Sequence, residues 1–420
     1  MTTQTGPCIG KNGNFKESLV THLECSRSGE HHEAGVLHGL SRANAPLFVR
    51  YDLKALGERL SKKTLAARAP TMWRYREFLP LGPDIEPVSL GETMTPLIPL
   101  PTLERRLGCA DIRVKDEGRL PTGSFKCRGM AVAVSMAKSF GVTRIAIPTA
   151  GNAGAGLAAY ASRAGIESFV FTPADTPEIT ASEIAFHGAN AWRVDGLVGD
   201  CGKIVADGTG EMGWFDMTTL KEPYRVEGKK TMGLELAEQF GWRLPELIFF
   251  PTGGGVCLIA MWKVFNELKE IGWLDGPLPR MVAVQSTGCG PIVKAFDAGE
   301  RQIEAWDNVT TEIHGVRVPN PLGGALVLDV LYESGGFGTL VDDDAVHEMR
   351  ARICAEEGLH LCPEGAACLV ALELERQTGR VGPDDRVVVF NTASGLKSPM
   401  PHLTRSLNKG QKVDYSSWQT

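Results

Sequence analysis

The residue best placed to do chemistry in this chain is Lys126. It lies in Ser124-Phe125-Lys126-Cys127-Arg128-Gly129, directly after the Gly-containing turn Leu120-Pro121-Thr122-Gly123. A solvated surface ammonium needs no such constrained position. An amine that must condense with an aldehyde does, because its nitrogen has to be aimed. By itself, a lysine at a helix start is more often a solvated side chain, so the chemical reading depends on the other loops the chain supplies.

Three of them matter. Thr149-Ala150-Gly151-Asn152-Ala153-Gly154 follows the apolar run Arg144–Ile147 and opens an Ala-rich helix through Leu157 to Ala164, closed by Gly165. Helix N-termini offer unpaired N–H groups and a positive dipole end, suited to a carboxylate or phosphate, and Asn152 adds an amide for a phenolate-like oxygen. The plainer reading is a tight turn of small residues for close helix–sheet packing. Pro251-Thr252-Gly253-Gly254-Gly255-Val256 lies between the strand Leu247–Phe250 and a helix from about Cys257 to Leu268. Three glycines let successive N–H groups curl around an anion; otherwise the segment is a flexible strand-to-helix loop. Asn391-Thr392-Ala393-Ser394-Gly395-Leu396-Lys397 places hydroxyls at the C-terminal end of the strand Arg386–Phe390, where open α/β sheets bind ligands. An amine for an aldehyde, a glycine nest for a phosphate, an amide for a ring oxygen and a hydroxyl for a ring nitrogen together describe a pyridoxal 5'-phosphate site.

The set Ser124-Phe125-Lys126, Gly151-Asn152-Ala153-Gly154, Gly253-Gly254-Gly255 and Thr392 to Lys397 resembles the tryptophan-synthase-β-like pyridoxal phosphate enzymes of fold type II. Within that family it looks most like threonine synthase and its relatives, and Pro223-Tyr224-Arg225-Val226-Glu227-Gly228-Lys229-Lys230-Thr231 is similar to another of their signatures. The likeness runs from about Leu23 to Pro399.

The resemblance implies roles residue by residue. Lys126 would hold the cofactor aldehyde as a Schiff base and then act as the Cα base. Asn152 would bond the ring oxygen. Gly253, Gly254 and Gly255, with Val256 at the helix start, would hold the phosphate, and Phe125 would line the cofactor. Thr392 would face the pyridine nitrogen, which a hydroxyl cannot keep protonated as a carboxylate would. Thr149, Ala150, Gly151 and Ala153 would receive the substrate with Asn152, and Arg225 would supply charge. A homodimer is the family expectation.

Composition sets the frame. Apolar residues make up 43% and charged residues 22% of 420 residues, ordinary for a globular protein with two or three cored units. The formal charge of −6 suggests no nucleic-acid partner. No run approaches a membrane span, and Met1 to Glu17 is polar, unlike a secretory signal, so a cytoplasmic enzyme with a small amino-acid substrate is expected. The ten cysteines form no C-x2-C pair and read as reduced, mostly buried thiols. Many threonine synthase relatives carry a zinc-ribbon-like start. Here Ser28, Ser41 and Asn44 stand where three of its four thiols would be, and Cys25 alone builds no tetrahedral site. His31 and His32 add no convincing set, so no metal is expected.

From Asp111 onward, strand-like runs alternate with helix-length segments: Asp111–Val114, Arg144–Ile147, Ser168–Phe171, Ala191–Val194, Trp214–Asp216, Leu247–Phe250, Met281–Gln285 and Arg386–Phe390. That is the pattern of an α/β protein with parallel sheets, and two sheets facing a shared cleft are expected. The resemblance implies an N-terminal extension over 1–85 with a helix near Leu56–Ala67. It also implies a large cofactor domain over 86–129 and 228–399, a small mobile substrate domain over 130–227, and a tail over 400–420. Gly228-Lys229-Lys230-Thr231 is no P-loop, since Pro223 replaces its first glycine. His187 reads as a helix-end residue.

For the reaction, threonine synthases hold a substrate phosphate with charge and several neutral donors. Arg225 and Lys229 or Lys230 retain the charge. Ala153, Leu220, Gly254 and Cys257 stand where hydroxyls or amides are usual, and a leucine facing a phosphate loses charge-assisted bonds of about 1.5–3 kcal/mol each. The expectation is therefore a lyase eliminating a β-substituent, a hydroxyl first, from a small or moderately apolar amino acid. True threonine synthase activity on O-phosphohomoserine and a non-catalytic cofactor-binding paralogue stay open as alternatives.

Overall fold

The structure, a computed structural model, describes residues 18–400, 406–413 and 415–418. Met1 to Glu17, with Cys8, and much of the expected tail lie outside them. The described chain opens on an antiparallel sheet of order β2-β1-β3, built from β1 (Val20–Cys25), β2 (His31–His32) and β3 (Leu47–Tyr51). Strand periodicity sends Leu23, Cys25, Leu47 and Val49 inward, onto an apolar cluster shared with Met130 of the Lys126 helix. Where the resemblance places metal knuckles, hydrogen bonds take over. The Cys25 thiol donates to Ser41 Oγ (3.0 Å), and the Ser28 N–H donates to Cys25 Sγ (3.4 Å). The helix expected near Leu56–Ala67 is two, Leu53–Arg59 and Lys62–Ala66, because Leu60 turns extended and Ser61 caps the second through the Thr64 N–H.

β4 (Leu97–Pro99) and β5 (Asp111–Asp116) begin the large sheet. The chain then leaves it to form β6 (Arg144–Pro148), β7 (Glu167–Pro173), β8 (Asn190–Val194) and β9 (Phe215–Asp216), a parallel sheet of order β8-β7-β6-β9. It returns through β10 (Leu247–Pro251), β11 (Arg280–Ser286), β12 (Phe337–Val341) and β13 (Arg386–Asn391) to complete the order β12-β11-β10-β13-β5-β4. Only β4 runs antiparallel in that sheet. The expected strands all appear within two residues of their bounds. β12 escapes a sequence reading because Gly335, Gly336 and Gly338 disguise it as a loop.

Two helices, Lys126–Ser139 and Tyr224–Gln239, pack against each other between the sheets and carry most of the charged candidates. Their backbones meet at glycines. A Cβ on Gly228 would overlap the Arg128 carbonyl, and one on Gly129 would lie 3.0 Å from the Arg225 oxygen. A fully buried ionic network ties the pair to β5. Arg128 bridges Glu117 and Glu235 (2.6 Å each), and Lys115 joins Glu235 at 2.8 Å. Lys115 also donates to the Thr95 carbonyl and the Gln239 amide oxygen, so every charge in the network is met.

Candidate active site

The turn that presents Lys126 is laced to the loop after β13. The Phe125 N–H donates to the Thr392 oxygen (3.0 Å), the Ser394 N–H to the Gly123 oxygen (2.8 Å), and Ser124 forms an isolated bridge with Ala393. Thr122 and Gly123 take positive φ (58° and 57°), which reverses the chain just ahead of the lysine. The first and fourth sequence motifs thus form one surface. The second lies against them. The helix Asn152–Ala164 approaches so closely at Gly156 that a Cβ there would sit 3.7 Å from the Cys127 nitrogen. Thr149 Oγ1 accepts the N–H groups of Gly151 (3.0 Å) and Gly154 (3.3 Å), fixing the bend that aims Asn152.

The N-cap residues of the helices that begin at Lys126, Asn152 and Val256 give no side-chain bond, and only Thr149 Oγ1 reaches the Asn152 helix's first turn, whereas those at Leu53, Lys62 and Asp343 are capped by Asp52, Ser61 and Asp342. Uncapped first turns leave N–H donors for a ligand. In the triple-glycine bend, Gly255 sits at φ 76° and a Cβ on it would overlap Val327, so only glycine closes the turn there. Gly254 is different: an added Cβ would meet only Thr219 Cγ2, at 3.5 Å, so its missing side chain leaves room toward the cleft. The Asn152 amide oxygen is buried with no hydrogen-bond partner. Thr392 is buried, its hydroxyl 3.6 Å from Cys362 Sγ. A cradle with space, an unpartnered amide and a buried hydroxyl fit a phosphorylated heteroaromatic aldehyde.

The electrostatics favour a reactive amine. Lys126 has no carboxylate within ion-pair distance among the described residues, and burial, with Arg225 opposing it further, brings its ammonium down to about 8. Lys229 Nζ lies 3.9 Å from the centre of the Phe125 ring and Lys126 Nζ 4.4 Å from the same ring. Lys229 is fully buried, and among the described residues its ammonium makes one hydrogen bond, a long one to the Phe125 carbonyl (3.4 Å). Burial, with Lys126 and Arg225 nearby, lowers it to about 7. Arg225 is also buried. It donates to the Met217 carbonyl (2.8 Å) but leaves Nε unpartnered, with Glu222 3.9 Å away. Burial pushes the Glu222 carboxyl up to about 7, which weakens it as a counter-ion.

Several sequence readings change here. Lys230 is no substrate ligand: it pairs with Glu227 (2.8 Å) and Glu267 (2.9 Å). Leu220 does not face an anion. It is 2% exposed, at φ 65°, and belongs to the core that contains Ile259 and Val327. Cys127 is sealed in the interior, and burial raises its thiol to about 12. Cys362-Pro363-Glu364-Gly365-Ala366, which only approximates a Glu-Pro segment of the relatives and has no catalytic role by sequence, brings Cys362 onto Thr392. Glu364 accepts the Gly315 N–H (2.9 Å) and lies near enough to Lys126 to favour its charged form.

Comparison with known proteins follows this geometry. Residues 88–393 match the family described as pyridoxal-phosphate dependent enzyme. The threonine synthase of Methanocaldococcus jannaschii is 32% identical over 376 residues, covering 89% of this chain and 92% of that protein. That of Methanosarcina acetivorans is 32% identical over 380 residues, covering 90% and 92%. Among solved structures, the processed threonine deaminase isoform 2 of Solanum lycopersicum superposes with a TM-score of 0.62 at 19% identity, over 72% of this chain and 79% of that one. Diaminopropionate ammonia lyase of Escherichia coli gives 0.62 at 20% identity, over 73% and 86%. The chain is an enzyme that depends on pyridoxal phosphate, and it belongs to the fold type II family as a threonine-synthase-like member.

Proposed function

We propose that this enzyme acts on an amino acid whose side chain carries an anionic leaving group, with conversion of O-phosphohomoserine and water to threonine and phosphate as the first candidate. The observation that carries the reading is the pair Arg225 and Lys229, buried basic groups near Lys126: Arg225 leaves Nε unpartnered with Glu222 3.9 Å away, and Lys229, lowered to about 7, becomes fully charged only beside an anion. An unpaired charge held out of water costs several kcal/mol, roughly, unless a ligand completes it. The glycine bend accounts for one phosphate, so these cations are left for another anion. The relatives at 32% identity are threonine synthases, which supports the same reaction.

When bound, pyridoxal phosphate supplies an electron sink that stabilises negative charge on the substrate carbon beside its amino group. The chain's own residues would do the rest. The N–H groups of Gly253 to Val256 hold the cofactor phosphate, and the Asn152 amide turns to the ring oxygen. Thr149 to Asn152, with Ala153 against the substrate, receive the α-carboxylate at an uncapped helix start. Thr392 would offer the ring nitrogen a hydroxyl, which cannot keep that nitrogen protonated as a carboxylate would. Lys126, with its ammonium near 8, accepts a proton from Cα and returns it without a large energetic step. Arg225 and Lys229 grip the departing oxyanion and stabilise its growing charge.

Hydroxyl elimination to a 2-oxo acid and ammonia is the second reading. The sequence argument for it, loss of neutral donors, keeps Ala153 but loses Leu220, which is buried in the core. Thr219, half-buried, turns its methyl toward Gly254. Steady-state turnover of O-phosphohomoserine, L-threonine, L-serine and phenylserine, read by phosphate and 2-oxo acid release, decides between them. The expected result is a preference of about 100-fold in kcat/KM for the phosphorylated substrate, the value of one or two charge-assisted bonds. Faster 2-oxo acid release from an unphosphorylated substrate would instead support elimination.

A further inference from the structure

We propose that the N-terminal sheet holds a divalent transition-metal site formed by His22 Nε2, Glu24 Oε2 and His31 Nε2. Strand periodicity puts His22 and Glu24 on the outer face of β1, and the β1–β2 register sets His31 directly opposite Glu24. Both imidazole Nε2 atoms lie near one carboxylate oxygen, at 3.8 Å and 4.0 Å, the three ligand atoms lie within 4.8 Å of one another, and the two rings stack with centres 3.8 Å apart. An ion about 2.1 Å from each ligand spans both nitrogen–oxygen separations. Binding would turn His31, whose side chain is 65% exposed, out of its stack on His22 so that both ring nitrogens converge.

Two further observations point to a missing ligand. His22 Nε2 is buried with no hydrogen-bond partner, while its Nδ1 lies 2.9 Å from Thr21 Oγ1. The other Glu24 oxygen is held by Arg50 Nη2 at 2.6 Å, so Oε2 alone faces the histidines. Outer contacts of this kind orient metal ligands. Arg50 also adds positive charge, which sets a moderate affinity. Two imidazoles and a carboxylate suit Zn2+, Co2+ or Ni2+, with water in the open positions. The site is separate from the degenerate thiol knuckle, because Cys25 faces the opposite side of β1 and is bonded to Ser41. A bound ion would cross-link β1 to β2, a strand of only two residues.

The test is Co2+ titration of the full chain with its cofactor bound, read by absorption, with Zn2+ competition read by calorimetry. The expected result is one equivalent of Co2+ with the weak visible bands of nitrogen and oxygen ligands. His31→Ala and Glu24→Gln should each weaken binding at least about tenfold while amino-acid turnover is unchanged. Cys25→Ser should bind as the parent does. Absence of stoichiometric uptake, an intense thiolate charge-transfer band, or undiminished binding in folded His31→Ala would each overturn the site.

Discussion

Lys126, Lys229 and Lys230 share one side-chain chemistry and occupy three environments. Lys230 sits between Glu227 and Glu267 and stays charged; Lys229 rests on an aromatic face with one carbonyl; Lys126 opens a helix without a carboxylate. The sequence marked Lys126 through its turn and offered Lys229 and Lys230 as equals, because adjacency along the chain says nothing about which face of a helix meets Glu267. The lowered ammonium of Lys126 has a kinetic signature. An amine reacts as its free base, so capture of pyridoxal phosphate by cofactor-free protein should speed up with pH and level off above about 8. A rise continuing into the ordinary lysine range would show an unperturbed amine. Arg225→Gln should lower kcat/KM for O-phosphohomoserine about 100-fold and leave L-serine turnover within a few-fold, measured at saturating cofactor. An equal loss on both substrates would place Arg225 outside leaving-group recognition.

At the scale of elements, the site is made by what helix starts lack. The N-cap residues of the helices at Lys126, Asn152 and Val256 give no side-chain bond, and glycine closes the bend before two of them. Those loops were legible because strand, Gly-rich turn and helix follow one another in plain sequence patterns. The crossing of the Lys126 and Tyr224 helices was not legible, since Gly129 and Gly228 read as ordinary helix glycines until the other backbone is set against them. Gly228→Ala should therefore destabilise the protein by about 1–3 kcal/mol or more in urea unfolding, far from the gain an exposed helix glycine would give. Arg128→Met should cost about 3–5 kcal/mol by leaving Glu117 buried without a cation and Glu235 with Lys115 alone. Retained stability in either variant would mean that the helix pair packs differently.

Across the whole molecule, two ion pairs join the loop and helix beside β7 to segments of the larger sheet's side. Arg317 meets Asp175 at 2.7 Å, and Lys397 meets Glu183 at 2.6 Å. Lys397 also donates to the Thr122 carbonyl, so the second contact reaches the turn that presents Lys126. The alternation of strands and helices foretold two parallel sheets. It gave no sign of these clasps, because their partners lie far apart in the chain and each is an ordinary surface charge when read alone. Only Asp175 of the four side chains is well exposed, and a solvent-screened pair of this kind is worth about 0.2–1 kcal/mol. The double variant Asp175→Asn, Glu183→Gln should accordingly raise KM a few-fold with kcat little changed, and added salt should do the same to the parent enzyme. A KM indifferent to both would mean that these two pairs do not help to hold the site together.

The most direct measurement is to reduce the cofactor-loaded enzyme with borohydride, digest it and map the pyridoxyl group by mass spectrometry. The expected product carries the label on the peptide containing Lys126. A label on Lys229, the other buried amine against the same Phe125 ring, or no label at all, would contradict the assignment.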